Sequence, residues 1–166
     1  RDDVAASVRL LRNHGLVDRN TVEKFGFVSR MDTLQAAVLE FRLRRLDDII
    51  QRRRANAGRY RELLDPRHVF MAPDRQIEFN TYHTFVIQID RRDALQQHLT
   101  DQGIGTAIHY PVPIHLQPAA VALGHKRGDF PVTERQAERI LTLPVNPSLT
   151  AEQIETVAEK TNRFFG

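Results

Sequence analysis

The stretch HYPVPIH, residues 109–115, places two histidines and a tyrosine around two prolines. Proline fixes its own φ near −65°, so this stretch is expected to be a stiffened loop that holds its side chains in place. An imidazole can donate a hydrogen bond, accept one or act as a general base. We therefore predict that His109, Tyr110 and His115 bind a polar ligand. The alternative is a loop whose aromatic side chains only pack.

The same histidines are not expected to hold a metal ion. His109 and His115 have no carboxylate nearby in the sequence, and two ligands do not make a zinc site. The chain has no cysteine, which excludes disulfides, thiolate metal sites and cysteine nucleophiles. The sequence also contains neither a glycine-rich nucleotide-binding loop nor a recognisable Ser-His-Asp arrangement.

The N-terminal part of the chain carries two helical patterns. Residues 1–13 are predicted to form a short helix that ends before Gly15, a residue suited to a left-handed backbone conformation. Residues 30–64 have an apolar stripe at helical spacing without proline, and Ser29 is the predicted N-cap. One helix of that length would measure about 50 Å. Because a domain of this size has a radius of gyration of roughly 15 Å, part of the helix is expected to pack on something outside it.

The C-terminal part alternates between strand and helix patterns, which favours a small α/β lobe with helices over one sheet. The predicted elements are a strand at 80–90, a helix at 91–103, a strand at 104–110, a loop at 111–132, a helix from Thr133 to Arg139, a strand at 140–144 and a last helix capped by Thr150. The loop is unusually long, and such loops are often functional. It contains most of the stretch HYPVPIH.

Charge and hydropathy narrow the function classes. The 166 residues carry a net charge of +3, and the excess is arginine in the first 63 residues. The favoured interpretation is a solvated helix face; the alternative is a surface for phosphates or acidic partners. Nucleic-acid binding is not predicted, because no aromatic residues alternate with these arginines. No apolar run reaches the roughly 20 residues of a membrane helix, and no signal peptide is visible, so a cytoplasmic protein is expected.

Six stretches together resemble one family. In this order and spacing, they are similar to the C-terminal half of the DegT/DnrJ/StrS sugar aminotransferases. The stretches are RLLRNHG (9–15), GFVSRMDTLQAAVL (26–39), RRRANAGRY (52–60), TYHTFVIQID (81–90), GIGTAIHYPVPIHLQPA (103–119) and GDFPVTERQAERILTLPVNPSLTAEQI (128–154). The last two are the most specific, and the resemblance covers nearly the whole chain.

The resemblance implies a fold and a division of the chain. The family consists of pyridoxal-phosphate enzymes with the aspartate-aminotransferase fold (fold type I). Residues 1–29 would then be a remnant of the large cofactor domain with an active-site loop. Residues 30–64 would be the long helix that connects the domains, and residues 65–166 the small C-terminal α/β domain. A homodimer with active sites at the subunit interface is also implied.

The Schiff-base lysine of the family is expected upstream of this chain. A catalytic lysine needs a desolvated pocket that lowers its pKa. Lys24 and Lys126 lie in polar loops, and Lys160 lies on a polar face of the last predicted helix. The chain is therefore interpreted as a fragment that is inactive alone.

The family's motifs also suggest binding residues. The segment before the long helix usually reads Gly-Tyr-Asn-x-Arg and enters the neighbouring subunit's active site, where the Asn binds the cofactor phosphate. Here the segment is GFVSR, and Val28 occupies the Asn position. A valine side chain cannot donate a hydrogen bond, so Ser29, Arg30 and the backbone N–H groups at the helix start are expected to serve the phosphate. The loop with His109, Tyr110 and His115 would face the nucleotide sugar.

The implied reaction transfers an amino group, with glutamate as the expected donor, to a keto sugar carried on a nucleotide. It would belong to polysaccharide or antibiotic sugar biosynthesis. The alternative is a non-catalytic or degenerate homologue with a regulatory or ligand-binding role, which Val28 favours. The identity of the keto sugar and the aminated ring position stay open.

Overall fold

The computed structural model describes all of residues 1–166, which divide into two compact units, 1–46 and 47–166. No helix is both long enough and apolar enough to cross a membrane. The helices are α1 (Asp2–Leu11), α2 (Thr33–Leu43), α3 (Leu46–Leu63), α4 (Arg92–Asp101), α5 (Pro131–Arg139) and α6 (Ala151–Arg163), and the strands are β1 (Phe70–Met71), β2 (Phe85–Gln88) and β3 (Ile140–Leu143).

In the 1–46 unit, the segment that follows α1 turns back on itself. Gly15 has a φ of +75°, the left-handed conformation that the sequence predicts for it. Isolated antiparallel bridges pair Asn13 with Val28 and Leu16 with Val22. These contacts fix the segment that leads into α2.

The predicted single helix over residues 30–64 is wrong, because α2 ends at Leu43 and α3 begins at Leu46. The Arg45 N–H donates to the Arg42 carbonyl at 3.0 Å, a three-residue spacing that tightens and ends the α-helical turn. The interruption matches the charge pattern. Arg42 lies in the last turn of α2, and two aspartates lie in the first turn of α3, as the helix macrodipole favours.

The predicted N-cap of α2 is also wrong. Asp32, and not Ser29, occupies the N-cap position, with an extended backbone at φ −68° and ψ 147°. Ser29 lies before the helix begins, and its N–H donates to the Arg12 carbonyl at 2.9 Å. The Asp32 side chain makes no capping hydrogen bond, so the first N–H groups of α2 remain available.

The 47–166 unit contains one antiparallel sheet in the order β1-β2-β3. The predicted strand at 80–90 shortens to β2, because Tyr82 has a φ of +50° and cannot be part of an extended ladder. The predicted strand at 104–110 reduces to one bridge between Ala107 and Thr142. Gly105 before that bridge and Pro111 after it limit regular pairing, since glycine weakens a strand and proline lacks a donor N–H.

The core of this unit packs α3, α4 and α6 against the sheet. Its largest fully buried side chains are Tyr60, Leu64, Ile87, Ile89, Leu95, Leu99, Leu141, Leu143 and Ile154. Tyr60 stacks on Phe85 with ring centroids 5.0 Å apart, and its hydroxyl donates to the Pro144 carbonyl at 2.8 Å. These contacts hold α3 over β2 and the end of β3.

The elements around the long loop differ in detail from the prediction. The loop at 111–132 contains two 3₁₀ helices, Ile114–Leu116 and Pro118–Leu123. Helix α5 begins at Pro131 and not at Thr133, because proline at the first helical position is preorganised and gives up no needed donor. The predicted cap of the last helix is confirmed: Thr150 and Gln153 form a reciprocal capping box at the start of α6.

Three arginines of α3 are committed to contacts within the 47–166 unit rather than forming a purely solvated face. They donate to backbone carbonyls of the segment 72–83. The bonds run from Arg53 to the Tyr82 and His83 carbonyls at 3.0 and 2.8 Å, from Arg54 to the Asn80 carbonyl at 2.6 Å, and from Arg61 to the Ala72 carbonyl at 2.7 Å. These bonds hold α3 against the segment that precedes β2.

Candidate functional site

The long loop and α5 enclose a cavity of about 530 Å³ in the 47–166 unit. One wall is the loop stretch 109–117 and carries His109, Tyr110 and Gln117. The other wall is the α5 side, with Thr133 and Gln136. The cavity therefore combines apolar surface with imidazole, phenol, amide and hydroxyl groups, a composition typical of a site for a polar organic ligand.

His109 and Tyr110 both line this cavity, as expected of two adjacent residues in one stiffened loop. The Nδ1 atom of His109 is hydrogen-bonded to the Thr142 hydroxyl at 2.9 Å, and Thr142 is buried in β3. This anchor orients the imidazole and leaves its Nε2 atom for a ligand. The Tyr110 side chain is exposed, and its ring meets the His109 ring edge-on at a centroid distance of 5.4 Å.

His115 is part of the loop but does not line the cavity. It is only 7% exposed, and its Nε2 donates to the Glu134 Oε1 atom at 2.9 Å. The expectation that His115 has no carboxylate partner is thus wrong. The partner is on α5, 19 positions further along the chain, and only the packing of α5 against the loop brings the two together.

Glu134 is a buried residue of the site that the sequence reasoning missed. Both of its carboxylate oxygens accept from the Gly128 N–H, at 2.8 and 3.0 Å, in addition to the bond from His115. The His115 hydrogen bond lowers the pKa of the Glu134 carboxyl below its ordinary value, with the Gly128 N–H acting in the same direction and desolvation opposing them. The only signal available in the sequence was an acidic residue in the family-specific stretch GDFPVTE.

A second cavity, of about 670 Å³, lies in the 1–46 unit. Arg12, Ser29, Arg30 and Gln35 form its polar part, and the rest is the apolar surface of Met31 and of three residues of α2. The Arg12 Nε donates to the Ser29 carbonyl at 3.0 Å, which fixes the guanidinium beside the serine. Arg12 was not among the residues predicted from the sequence.

Val28 does not line this cavity. Its side chain is 71% exposed, and the residue is held by the bridge to Asn13. Of the three residues predicted to bind the cofactor, the structure brings Ser29 and Arg30 together and leaves Val28 outside.

The polar part of the second cavity fits a phosphate group. Two arginines, a serine and Gln35 line the cavity, no acidic side chain lines it, and the open N–H groups of α2 begin three residues beyond Arg30.

None of the three lysines lines either cavity. Lys24 and Lys126 are exposed, and Lys160 is half-buried on α6. The chain also has no group of three or more histidine, aspartate or glutamate side chains that could hold a metal ion.

Comparisons with known proteins agree with this architecture. The chain is 43% identical over 155 residues to "Erythromycin biosynthesis sensory transduction protein EryC1" from Saccharopolyspora erythraea. The matched region covers 93% of this chain and 42% of that protein. It is 38% identical over 152 residues to "dTDP-3-amino-3,4,6-trideoxy-alpha-D-glucose transaminase" from Streptomyces venezuelae, covering 91% of this chain and 40% of that protein. The chain thus spans less than half the length of these curated relatives.

A solved structure has the same fold over nearly the whole chain. The structure is that of DesV from S. venezuelae in complex with a ketimine intermediate. The match covers 99% of this chain and 44% of the DesV chain, with a TM-score of 0.91 and 34% sequence identity. The fold predicted from the resemblance is thereby confirmed. The model of the DegT/DnrJ/EryC1/StrS aminotransferase family matches residues 1–162, and the chain therefore belongs to that family.

Proposed function

We propose that this chain forms part of the active site of a pyridoxal-phosphate-dependent aminotransferase that converts a nucleotide-linked keto sugar to an amino sugar. The observation that carries the proposal is the cavity at which the Nε2 atom of His109 and the exposed phenol of Tyr110 meet, in a chain of the sugar aminotransferase family. Glutamate is the proposed amino donor. The cofactor, when bound, supplies the electron sink that lets an amino group move between two carbon skeletons.

The residues of the loop cavity bind and orient the sugar nucleotide. The Thr142 anchor holds the His109 ring, so that Nε2 meets a sugar hydroxyl or carbonyl without a further loss of rotamer freedom. The Tyr110 hydroxyl supplies a donor beside it, and the Gln117 and Gln136 amides offer both donors and acceptors along the cavity. The phenol and the two amides suit the many hydroxyls of a sugar better than they suit an ion.

In the 1–46 unit, Arg12, Ser29 and Arg30 bind the cofactor phosphate.

We also propose a homodimer, because α2 leaves Leu34 and Phe41 largely exposed and such apolar side chains mark interfaces. The exposed Met31 borders the same cavity as Ser29 and Arg30. Sedimentation of the full-length product of the gene should therefore give the mass of two copies.

The proposed substrate is a thymidine-diphosphate-linked 3-keto sugar. The relative from S. venezuelae carries the name of a transaminase for a sugar with nitrogen at C3. The same ring position is proposed for the substrate of this chain.

Replacing His109 by alanine is the direct test of the site. In the full-length product of the gene, supplied with pyridoxal phosphate, glutamate and a dTDP-linked 3-keto-6-deoxy sugar, wild type should form the amino sugar, detected by mass spectrometry. His109→Ala should raise the KM for the keto sugar about tenfold, which corresponds to one lost hydrogen bond of about 1.4 kcal/mol. His68→Ala, which removes an exposed histidine outside the cavity, is the control. A wild type that binds the cofactor but forms no amino sugar would refute the function, and an unchanged KM in His109→Ala would refute the site.

Replacing Val28 by asparagine tests how closely its segment approaches the cofactor. We propose that the exposed position 28 faces the cofactor of the partner subunit, as the family motif implies, and not the cavity of its own unit. In the full-length protein, an amide at this position should then tighten pyridoxal-phosphate binding about tenfold or more, since a hydrogen bond to a charged group contributes roughly 1.5–3 kcal/mol. The measurement is a fluorescence titration of the apoprotein. Val22→Asn, at another exposed valine of the same unit, should leave the affinity unchanged. Equal affinities in wild type and Val28→Asn would mean that the segment does not reach the phosphate.

A second candidate function is regulation without catalysis. The exposed Val28 lacks the donor of the family motif, and the relative from Saccharopolyspora erythraea is named as a sensory transduction protein. This function predicts that the full-length protein binds the nucleotide sugar but releases no amino sugar.

A further inference from the structure

One hydrogen bond joins the two walls of the loop cavity. It runs from the His115 Nε2, in the loop wall, to the Glu134 Oε1, on α5. Tyr110 lines one side of the cavity and Gln136 the other. This hydrogen bond therefore helps to set the separation of the walls, together with the packing of the Phe130 ring on the His115 ring at a centroid distance of 4.7 Å.

The same carboxylate also holds the far end of the loop. The Gly128 N–H donates to both Glu134 oxygens, at 2.8 and 3.0 Å, just before α5 begins. Both His115 and Glu134 are more than nine-tenths buried, so water competes little for these bonds. Hydrogen bonds to an ionised acceptor in such surroundings are stronger than neutral ones. Glu134 thus fixes the loop at two points, one in its first half and one at its end.

Glu138, one turn further along α5, shows the contrast. Its carboxylate meets the Arg127 guanidinium at 3.7 Å, and both side chains are 71% exposed. An exposed pair of this kind contributes little. Helix α5 therefore carries two acidic residues, and only the buried one is built into the site.

We propose that Glu134 is a positioning residue of the sugar site: it sets the width of the cavity and holds the loop that presents His109 and Tyr110. This inference rests on the proposed function for its role in the reaction. The Glu134 carboxylate does not line the cavity and acts through His115 and Gly128.

The first arm of the test concerns the link itself and is independent of any reaction. Amide hydrogen exchange is measured by NMR in the chain and in its Glu134→Ala and Glu138→Ala variants. Glu134→Ala should speed the exchange of the Gly128 amide at least tenfold while the amides of Ile87 and Leu141 in the sheet stay protected. Glu138→Ala should change none of them. Unchanged exchange at Gly128 in Glu134→Ala would overturn the proposal; if that variant fails to fold, Glu134→Gln replaces it, with the same expectation at a smaller amplitude.

The second arm uses the full-length protein loaded with cofactor and Glu134→Gln, which keeps the shape of the side chain and removes its charge. Its Kd for dTDP-glucose, measured by calorimetry, should rise about tenfold, and its KM for the keto sugar should rise likewise. The KM for glutamate should stay within twofold of wild type, a split that a general loss of stability would not produce. Equal rises in both KM values, or an unchanged Kd, would overturn the proposal. Wild type that binds dTDP-glucose but does not convert the keto sugar would refute the proposed reaction alone, because the Kd comparison would still decide the role of Glu134.

Discussion

Replacing Gly15 by alanine is expected to abolish the native arrangement of the segment between α1 and α2. Gly15 has a φ of +75°, and a Cβ atom at this position would lie 1.6 Å from the Lys24 carbonyl oxygen. The left-handed backbone alone costs a non-glycine residue about 1–2 kcal/mol. The overlap adds much more, because the nearest atom belongs to the backbone and cannot rotate away.

The damage should extend to the proposed phosphate site. The His14 N–H donates to the Phe27 carbonyl at 3.0 Å, and the Ser29 N–H donates to the Arg12 carbonyl at 2.9 Å. A shift at Gly15 therefore moves the segment that ends in Ser29. Hydrogen exchange in Gly15→Ala should show loss of protection at the His14 and Ser29 amides, and the full-length variant should lose most of its affinity for pyridoxal phosphate.

Gly58 supplies the matched control for this glycine. It lies inside α3, and a Cβ there would meet no atom within 4 Å. Gly58→Ala should raise the free energy of unfolding by about 0.5–1 kcal/mol, since alanine is the better helix former. The two substitutions are thus expected to act in opposite directions. Native protection at His14 and Ser29 in Gly15→Ala would contradict the backbone geometry of this segment.

Replacing Tyr60 by alanine is expected to lower the free energy of unfolding of the 47–166 unit by about 3–5 kcal/mol. The side chain is fully buried, stacks on Phe85 and donates its hydroxyl to the Pro144 carbonyl. Its removal eliminates the central contact between α3 and the sheet. Urea denaturation followed by circular dichroism measures the loss.

Tyr60→Phe separates the hydrogen bond from the packing. It keeps the ring and its stacking on Phe85 but leaves the Pro144 carbonyl without its donor, so a loss of about 1 kcal/mol is expected. A loss in Tyr60→Ala no larger than that in Tyr60→Phe would mean that the ring does not pack as described.

Features set by neighbouring residues were predictable from the sequence. The capping box of Thr150 and Gln153 needs only four consecutive positions, and the left-handed Gly15 follows from what other residues cannot adopt. The interruption between α2 and α3 was missed because it contains neither proline nor glycine. It depends on the change from basic to acidic residues around Leu46, a weak effect beside a continuous apolar stripe.

The residues of the candidate site were likewise predictable only where neighbouring positions determine them. His109 and Tyr110 are adjacent in a loop stiffened by proline, so their joint presentation was predictable. Glu134 and Arg12 were not, because their partners His115 and Ser29 lie 19 and 17 positions away, and no local pattern encodes those contacts. The predicted roles of the site residues toward the cofactor and the sugar stay predictions until the binding measurements are made.

The packing of α3 and α6, the first and last helices of the 47–166 unit, in one core has a consequence for how the protein is made. The Asn162 amide donates to the Leu63 carbonyl at 2.8 Å, its oxygen accepts from the Asp65 N–H at 3.0 Å, and Ile154 of the same helix belongs to the core. The contacts of α3 with Phe85 and Pro144 can form earlier, but those with α6 form only when that helix has been synthesised. At about 5–20 residues per second, part of α3 therefore stays uncovered for several seconds during synthesis. During that time the uncovered part of α3 is available to chaperones.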